Sequence, residues 1–241
     1  MEKMTVTPDM TVGAVVAEFP ATLQMFESLG IDYCCGGKRT LADAAQATQM
    51  PVEALLAVLR TTIAQSRQTP AVAREWQDAP LDELLDHILT VHHAFMRHEL
   101  PRITQLMERV ARSHGEKHGA TLTPLAETYQ ALRSELEAHL TEEEERIFPM
   151  IRRVLTGTVD AEIIQAVSTL EHEHESAGVA LARLRTLTQD YQAPTGACTT
   201  YCALYDALQA LERDLHQHIH LENNILFQRT RQLVASKQEA A

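Results

Sequence analysis

Two segments of the chain combine a stripe of apolar residues with one histidine and one glutamate in the same way, and this combination strongly restricts the fold. In each segment, apolar residues recur at steps of three and four, a spacing that places them on one face of an α-helix. The first stripe continues into His139 and Glu143, and the second into His218 and Glu222. The pattern therefore predicts two helices that each turn a His-x3-Glu pair toward a core. The apolar members of the stripes are Leu125, Tyr129, Leu132, Leu136, Leu204, Leu208, Leu211 and Leu215.

The two segments are also similar in sequence, which indicates an internal repeat of a helical hairpin. Both "HLTEEEERIF" and "HIHLENNILF" place a glutamate four residues, and a phenylalanine nine residues, after the first histidine. The other two helices carry His174 and His93 on their apolar stripes. His92 lies on a competing stripe, but the repeat favours His93 because it then has the same place in its hairpin as His174.

The apolar periodicity predicts an all-α fold whose main part is a bundle of four helices. The helices are expected over residues 81–113, 124–155, 161–189 and 201–235. Their short connections favour antiparallel neighbours, and hence an up-down four-helix bundle. Pro101 and Pro149 are expected to bend or interrupt their helices.

The residues before the bundle are expected to form a small helical domain. Thr11 and Thr40 can cap helices, Gly30 can end one, and Pro51 can begin another. The polar stretch "QSRQTPAVAREWQDAP" is typical of a linker. The predicted organisation is therefore a small helical domain over 1–65, a linker over 66–79 and the bundle over 80–241.

Four histidines and two glutamates in one core require an explanation, because an unpaired buried charge is energetically costly. Metal coordination resolves that cost for all six residues together. Six such ligands are enough for two metal ions, since a glutamate can bridge two ions while each imidazole binds one. Nitrogen and carboxylate ligands suit iron or manganese, with zinc as an alternative. The predicted ligands are His93, His139, Glu143, His174, His218 and Glu222.

Each of these signals has a simpler explanation when it is taken alone. One histidine on a core face is usually a hydrogen-bonded core residue, and one His-x3-Glu is common as an exposed pair on a helix. Two copies at matching positions, together with His174, favour the metal site. The remaining histidines are expected to be solvated or to make local contacts; they are His87, His92, His98, His114, His118, His172, His216 and His220.

Glu135 and Glu173 lie shortly before His139 and His174 in the chain. Two interpretations remain open for them. They are either carboxylates that support the ligands and hand on protons or ions, or ordinary exposed acids.

Cys34 and Cys35 lie in the stretch "GIDYCCGGKRT" and admit three interpretations: a metal site, a redox pair or a turn. A disulfide between adjacent cysteines requires a strained ring, so it is not expected. The glycines that follow allow a sharp turn. Lys38, Arg39 and the next helix N-terminus are expected to favour the thiolate. The pair is expected either to pass iron or a nitrosyl group to a client protein, or only to shape the turn.

The charge and the apolar runs exclude some partners. The net charge of −12 argues against nucleic acid, whose backbone requires a basic surface. The start of the chain has no apolar run typical of a signal peptide, and no segment reaches the roughly 18 uninterrupted apolar residues of a membrane span. Four cysteines are too few for a disulfide framework. The expectation is a cytoplasmic protein with reduced thiols and no membrane association.

Taken together, these motifs resemble those of the di-iron proteins that repair iron–sulfur clusters, called the repair-of-iron-centres family. "IDYCCGG", "HLTEEEERIFPMI", "EHEHESAG", "ACTTY" and "HIHLENNILF" follow the pattern of that family in order. The resemblance implies a hemerythrin-like bundle in which the six ligands hold two non-haem irons, bridged by the glutamates and, as a further expectation, by an oxo group. Gln228 departs from a proline that is usual in the family, and Cys202 is additional to the family-like Cys198; neither is a ligand.

The resemblance implies repair of clusters damaged by nitric oxide or peroxide, with damaged iron–sulfur proteins as partners and iron supplied by this protein. Two alternatives use the same di-iron site. One is an enzyme that reduces nitric oxide or dioxygen with electrons from outside, and the other is a sensor or carrier of a diatomic gas. Whether the protein is an enzyme, and whether it is a monomer or a homodimer, stays open at this point.

Overall fold

The computed structural model describes residues 6–66, 76–158 and 162–239, and within these ranges the protein is built from helices. A single isolated β-bridge, between Thr11 and Thr40, is the only extended pairing recorded there. The predicted all-α fold is therefore confirmed. Most of the predicted linker, 66–79, lies outside the described residues.

The chain divides into two compact units. The first comprises Met1–Leu84 and Ile219–Gln232, and the second Leu85–His218 and Leu233–Ala241. The predicted domain boundaries stay a prediction. The helices before the bundle are α1 (Val12–Glu18), α2 (Leu23–Ser28), α3 (Leu41–Ala47) and α4 (Val52–Ser66).

Local capping explains the short helices of the first unit. The Thr11 hydroxyl accepts a hydrogen bond from the Ala14 N–H at 3.3 Å, and the Thr40 hydroxyl accepts one from the Asp43 N–H at 3.1 Å. Both contacts satisfy N–H groups that have no partner inside the helix. Gly30 has a φ of +66° after α2, as a C-terminal cap requires. The predicted capping roles of Thr11, Thr40 and Gly30 are thus confirmed.

One stretch of the last long helix, Ile219–Gln232, packs within the first unit. Its π-helical turn Glu222–Leu226 lies against α1. Asn224 approaches the backbone so closely that a Cβ at Gly13 would lie 2.1 Å from its Oδ1. A Cβ at Gly37 would lie 3.0 Å from the same atom. Both positions therefore require glycine for this packing.

The remaining helices form the bundle. Three single π-helical turns interrupt them, at Ile88–His93, Glu143–Ile147 and Glu222–Leu226. Pro101 lies inside α6 and Pro149 is the second residue of α7, and neither interrupts its helix. The helices are α5 (Leu81–His87), α6 (Ala94–Glu142), α7 (Phe148–Leu155), α8 (Ile163–Leu187), α9 (Thr199–Leu221) and α10 (Phe227–Glu239).

Helix α6 is two helices joined at a sharp kink. His118, with φ −120° and ψ 17°, is the non-helical residue between them. The Tyr129 hydroxyl donates to the Leu100 carbonyl at 2.5 Å, across 29 residues. In one straight helix these residues would be about 44 Å apart, so the chain must reverse between them. The structure thus confirms a break inside "SHGEKHG", although the residues on either side remain helical up to the kink.

Candidate metal centre

All six predicted ligands are buried. Glu143, His218 and Glu222 have no exposed surface, and the other three are at most 5% exposed. Five of the six lie in the second unit, on four different helical segments. Because the apolar stripes turn inward, the histidines and glutamates that continue them are turned inward as well.

Within the second unit, the ligand atoms converge in two groups that share Glu143. In one group, atoms of His93, Glu143 and His218 lie within 4.8 Å of one another. In the other, the same holds for His139, Glu143 and His174. Glu143 is therefore placed to contact two metal ions at once.

Glu222 lies one helical turn after His218 on a continuous helix, so the helix itself sets its position beside His218. Within the second unit, each group has two imidazoles and the carboxylate of Glu143.

Glu143 is the best evidence that a cation belongs here. Its oxygens lie 3.3 Å from His93 Nε2 and 3.3 Å from His139 Nε2. Neither oxygen has a hydrogen bond of normal geometry among the described residues. Burial alone would raise the pKa of Glu143, but the imidazoles of His139, His93 and His218 more than offset it and hold the pKa well below its usual value. A buried carboxylate that stays ionised needs cationic partners.

Two imidazole nitrogens also face each other. His139 Nε2 and His174 Nε2 are 3.0 Å apart. A neutral imidazole has one donor and one acceptor nitrogen, so only one of these two atoms can carry a proton in such a contact. Both atoms would be acceptors if they bound one ion, which is the arrangement that metal coordination requires.

Carboxylates hold the other ring nitrogens of two ligands. His139 Nδ1 lies 2.7 Å from Glu173 Oε2, and His93 Nδ1 lies 2.9 Å from Glu144 Oε1. Such a contact fixes the orientation and the tautomer of a ligating histidine, so that Nε2 is the nitrogen that can bind a metal ion. Glu135 is exposed. The sequence did not indicate Glu144, because it is the neighbour of Glu143 and does not lie on the apolar stripe.

The expectation for two of the remaining histidines is wrong, because His92 and His220 are buried. His92 Nδ1 pairs with Asp214 Oδ1 at 3.0 Å, and its ring stacks on His218 with 5.8 Å between the ring centroids. His92 is the last residue but one of a π-helical turn, which adds a residue to the turn relative to an α-helix. The α-helical phase that put the two neighbouring histidines on competing stripes therefore does not apply there.

The π-helical turns coincide with the ligands. One ends at His93, and the other two begin at Glu143 and Glu222. A π turn widens the helix locally, and such turns are frequent at functional sites. Because both glutamates begin a π-helical turn, the predicted hairpin repeat is present in the backbone as well as in the sequence.

Two parts of the chain match known protein families. Residues 84–230 match the hemerythrin HHE cation-binding domain, and residues 8–62 match a second family, ScdA_N, a domain of unknown function. The iron–sulfur cluster repair protein YtfE of Edwardsiella ictaluri is 37% identical over 221 residues, which cover 92% of this chain and 96% of that protein. The proteins of the same name from Pectobacterium carotovorum and Dickeya chrysanthemi are 36% and 34% identical with the same coverage.

The chain belongs to the iron–sulfur cluster repair family. Its bundle is a hemerythrin-type domain, as the resemblance implied. The predicted di-iron cofactor is confirmed as the cofactor of such a domain, and the two adjoining groups of buried ligands fit two ions. The assignment of each ion to individual side chains remains a proposal. None of the described helices is long and apolar enough to cross a membrane.

In this family member, the N-terminal match includes the cysteine loop. Neither Cys34 nor Cys35 is in a disulfide. Cys34 is buried and Cys35 is half-buried. The Tyr33 ring next to them contacts the His220 ring edge-on, with 5.6 Å between centroids. Burial lowers the pKa of His220 to about 4, so it is neutral at physiological pH.

The expected thiolate is not favoured at Cys34. The hydrogen bond to Cys35, burial, and the charge of Asp32 all raise the pKa of Cys34 well above its usual value. Lys38 and Arg39 are exposed and do not reverse this effect. The prediction was wrong here because it counted the basic neighbours in sequence but not the hydrogen bond with Cys35, the burial of Cys34 or the charge of Asp32.

The other cysteines of the repair protein have a different environment. Cys198 is exposed, and its Sγ lies 3.2 Å from His114 Nε2. The N–H of Tyr201 and the contact with His114 lower the pKa of Cys198 to about 7. Cys202 is half-buried one turn further along α9.

Proposed function

We propose that this protein repairs iron–sulfur clusters damaged by nitrosative or oxidative stress, and that it does so by donating iron from a di-iron centre. The observation that carries the proposal is the similarity to repair proteins along 92% of the chain. The partners are then proteins whose iron–sulfur clusters have been damaged. The protein acts as a monomer or a homodimer in the cytoplasm.

The six ligands take defined roles in this proposal. His93 and His218 would hold one iron, and His139 and His174 would hold the other. Glu143 would contact both ions because it belongs to both groups. Glu222, one turn after His218, would be the second shared carboxylate. Glu173 and Glu144 keep two of the imidazoles oriented through their Nδ1 atoms. In this proposal, iron is both the ion bound in the bundle and the ion passed to the client protein. The site must therefore be able to bind iron and to release it.

The donor set supports labile binding. The six proposed side chains supply fewer donors than two octahedral ions require. Iron held by them would be expected to take nitric oxide or dioxygen as a small ligand. When bound, the di-iron centre supplies redox chemistry and binds diatomic gases, while the protein orients the ligands and excludes water from the buried carboxylates.

Cys34 and Cys35 are proposed to take part in the transfer to the client. Replacing both by serine should leave the iron content of the bundle unchanged and reduce cluster repair. Replacing Cys198 and Cys202 in the same way is the matched control. Full repair by the folded Cys34→Ser/Cys35→Ser protein would remove the loop from the transfer step.

The decisive test follows iron and client activity together. The iron-loaded protein is incubated with an enzyme whose cluster has been damaged by nitric oxide, and iron on both proteins is measured as activity returns. The proposal predicts that iron leaves this protein in proportion to the recovered activity. An equal amount of free ferrous salt is the control. Iron that stays bound while nitric oxide is consumed would contradict donation and identify a reductase or scavenger.

A further inference from the structure

The turn between α2 and α3 brings together a carboxylate and two thiols. Asp32 Oδ1 accepts a hydrogen bond from the Cys34 N–H at 3.0 Å, and Asp32 Oδ2 accepts one from the Gly36 N–H at 2.8 Å. These two bonds fix the Asp32 side chain over the turn. Ligand atoms of Asp32, Cys34 and Cys35 lie within 4.8 Å of one another.

The distances are those between ligands on one metal ion. Metal–sulfur bonds of about 2.3 Å in a tetrahedral site place two sulfurs about 3.8 Å apart. The Sγ atoms of Cys34 and Cys35 are 3.7 Å apart. A carboxylate oxygen at about 2.1 Å from the same ion would lie about 3.6 Å from a sulfur. Asp32 Oδ1 is 3.3 Å from the Cys34 Sγ, slightly closer because the two atoms also form a hydrogen bond.

The loop is held in place by the helix beneath it. Asn224 Nδ2 donates to the Tyr33 carbonyl at 3.3 Å and contacts His220 Nδ1 at 3.1 Å. Gly37 allows Asn224 to approach the turn. The backbone that carries both cysteines is therefore anchored, which reduces the entropy lost when the side chains bind an ion.

The charges of the cluster also favour a cation. Three groups that can each carry a negative charge lie side by side, with their ligand atoms within 4.8 Å of one another. A divalent cation would replace the two thiol protons and neutralise most of the resulting charge. Cys34 is 3% exposed whereas Asp32 is exposed, so one side of the cluster is open.

We propose that Asp32, Cys34 and Cys35 form a binding site for a single thiophilic divalent metal ion, in addition to the centre in the bundle. Three protein ligands leave the fourth tetrahedral position open to a donor from outside. If the proposed function is correct, the ion bound here is ferrous iron on its way to a client. The metal site itself does not depend on that function.

Cobalt is a suitable probe, because Co²⁺ bound to thiolate gives a sulfur-to-metal charge-transfer band in the near ultraviolet. The bundle ligands include no thiol, so cobalt in the bundle does not contribute to this band. The full-length, reduced, iron-loaded protein is titrated with Co²⁺ alone. We expect a charge-transfer band that saturates at one Co²⁺ per chain.

The four cysteines of the chain provide the matched comparison. The band should be lost in Cys34→Ser and in Cys35→Ser, and it should be unchanged in Cys198→Ser/Cys202→Ser. Asp32→Asn keeps one oxygen for the turn but loses the charge, and it should weaken Co²⁺ binding at least about tenfold, the lower end of the loss expected even for a group that only supports a ligand. Circular dichroism checks that each variant is folded.

Each outcome of these experiments either supports or contradicts the proposed metal site. If Cys34→Ser does not fold, the half-buried Cys35 and the exposed Asp32 still carry the test. No band in the wild-type protein, or a band that survives in Cys35→Ser, would overturn the metal site. A band that disappears only in Cys198→Ser/Cys202→Ser would also overturn it. A cobalt site without cluster repair would instead contradict the proposed function and leave the loop as a metal site.

Discussion

The bundle centre and the cysteine loop both gather metal-binding side chains, but they do so in different ways. The bundle centre takes its ligands from four helical segments, and all are at most 5% exposed. The loop takes Asp32, Cys34 and Cys35 from one turn, with Asp32 exposed. The first site exists only when the bundle is folded, whereas the second needs only a turn and its anchor. We expect the second site to exchange its ion faster than the first.

The largest effect is expected from Glu143→Gln, because Glu143 belongs to both groups of bundle ligands. A neutral amide cannot balance the charge of two cations in a buried site. The iron content should fall from two ions per chain to less than one, measured by elemental analysis. Glu145→Gln, an exposed position in the same acidic run, is the matched control and should keep both ions. Two ions retained in Glu143→Gln would contradict the sharing of this carboxylate.

Removal of the metal ions should lower the stability of the bundle. The cysteine loop should not contribute to this loss of stability. Without cations, Glu143 stays buried among imidazoles with no ion to offset its desolvation. Bound iron at one hundred times its dissociation constant stabilises the folded state by about 2.7 kcal/mol, or roughly 5–10 °C in Tm for a chain of this size. Cys34→Ser/Cys35→Ser should show the same shift between iron-loaded and iron-free protein, followed by thermal unfolding. A shift that vanishes in this variant would place the stabilising ion in the loop.

The sequence was sufficient to predict that the six proposed ligands are buried. Each of them continues a stripe of apolar residues that must face the core, so the burial of His139 and Glu143 follows from Leu132 and Leu136. The burial of His92 could not be predicted, since the π-helical turn changes the phase of the helix.

Contacts between side chains of different helices could not be predicted from the sequence either. Glu144 meets His93 across 51 residues, and only the packing of the two helices brings them together. In the cysteine loop, the sequence indicated a turn and its thiols. The position of Asp32 above the thiols depends on two hydrogen bonds that it accepts from backbone N–H groups. No pattern in the sequence predicts these hydrogen bonds.

A smaller effect is expected from Glu173→Gln. Glu173 holds His139 through Nδ1 at 2.7 Å, and this hydrogen bond lowers the pKa of Glu173. Loss of such a partner weakens metal binding about 10–100-fold, so one of the two irons should be removed by a chelator at lower concentration. Glu135→Gln, at an exposed position one turn before His139, should behave like the wild type. Equal chelator sensitivity of Glu173→Gln and wild type would contradict a supporting role for Glu173.

The smallest effect concerns thiol reactivity in the metal-free protein. The pKa of Cys198 is lowered to about 7, so the thiolate fraction and the rate of alkylation should rise steeply with pH near 7 and level off roughly one to two pH units above it. The pKa of Cys34 is raised, so Cys34 should react slowly over the same range. Mass spectrometry of alkylated peptides measures both rates in one sample. Faster alkylation of Cys34 than of Cys198 at pH 7 would mean that the loop cysteines are thiolates even when no cation is bound.

The most direct test of the bundle centre is a crystal structure of the iron-loaded, full-length protein with anomalous scattering at the iron edge. Two iron peaks are expected in the bundle, one beside His93 and His218 and the other beside His139 and His174. Both should contact Glu143. A single peak, or two peaks of which one does not contact Glu143, would contradict the central claim that one buried carboxylate joins two ions.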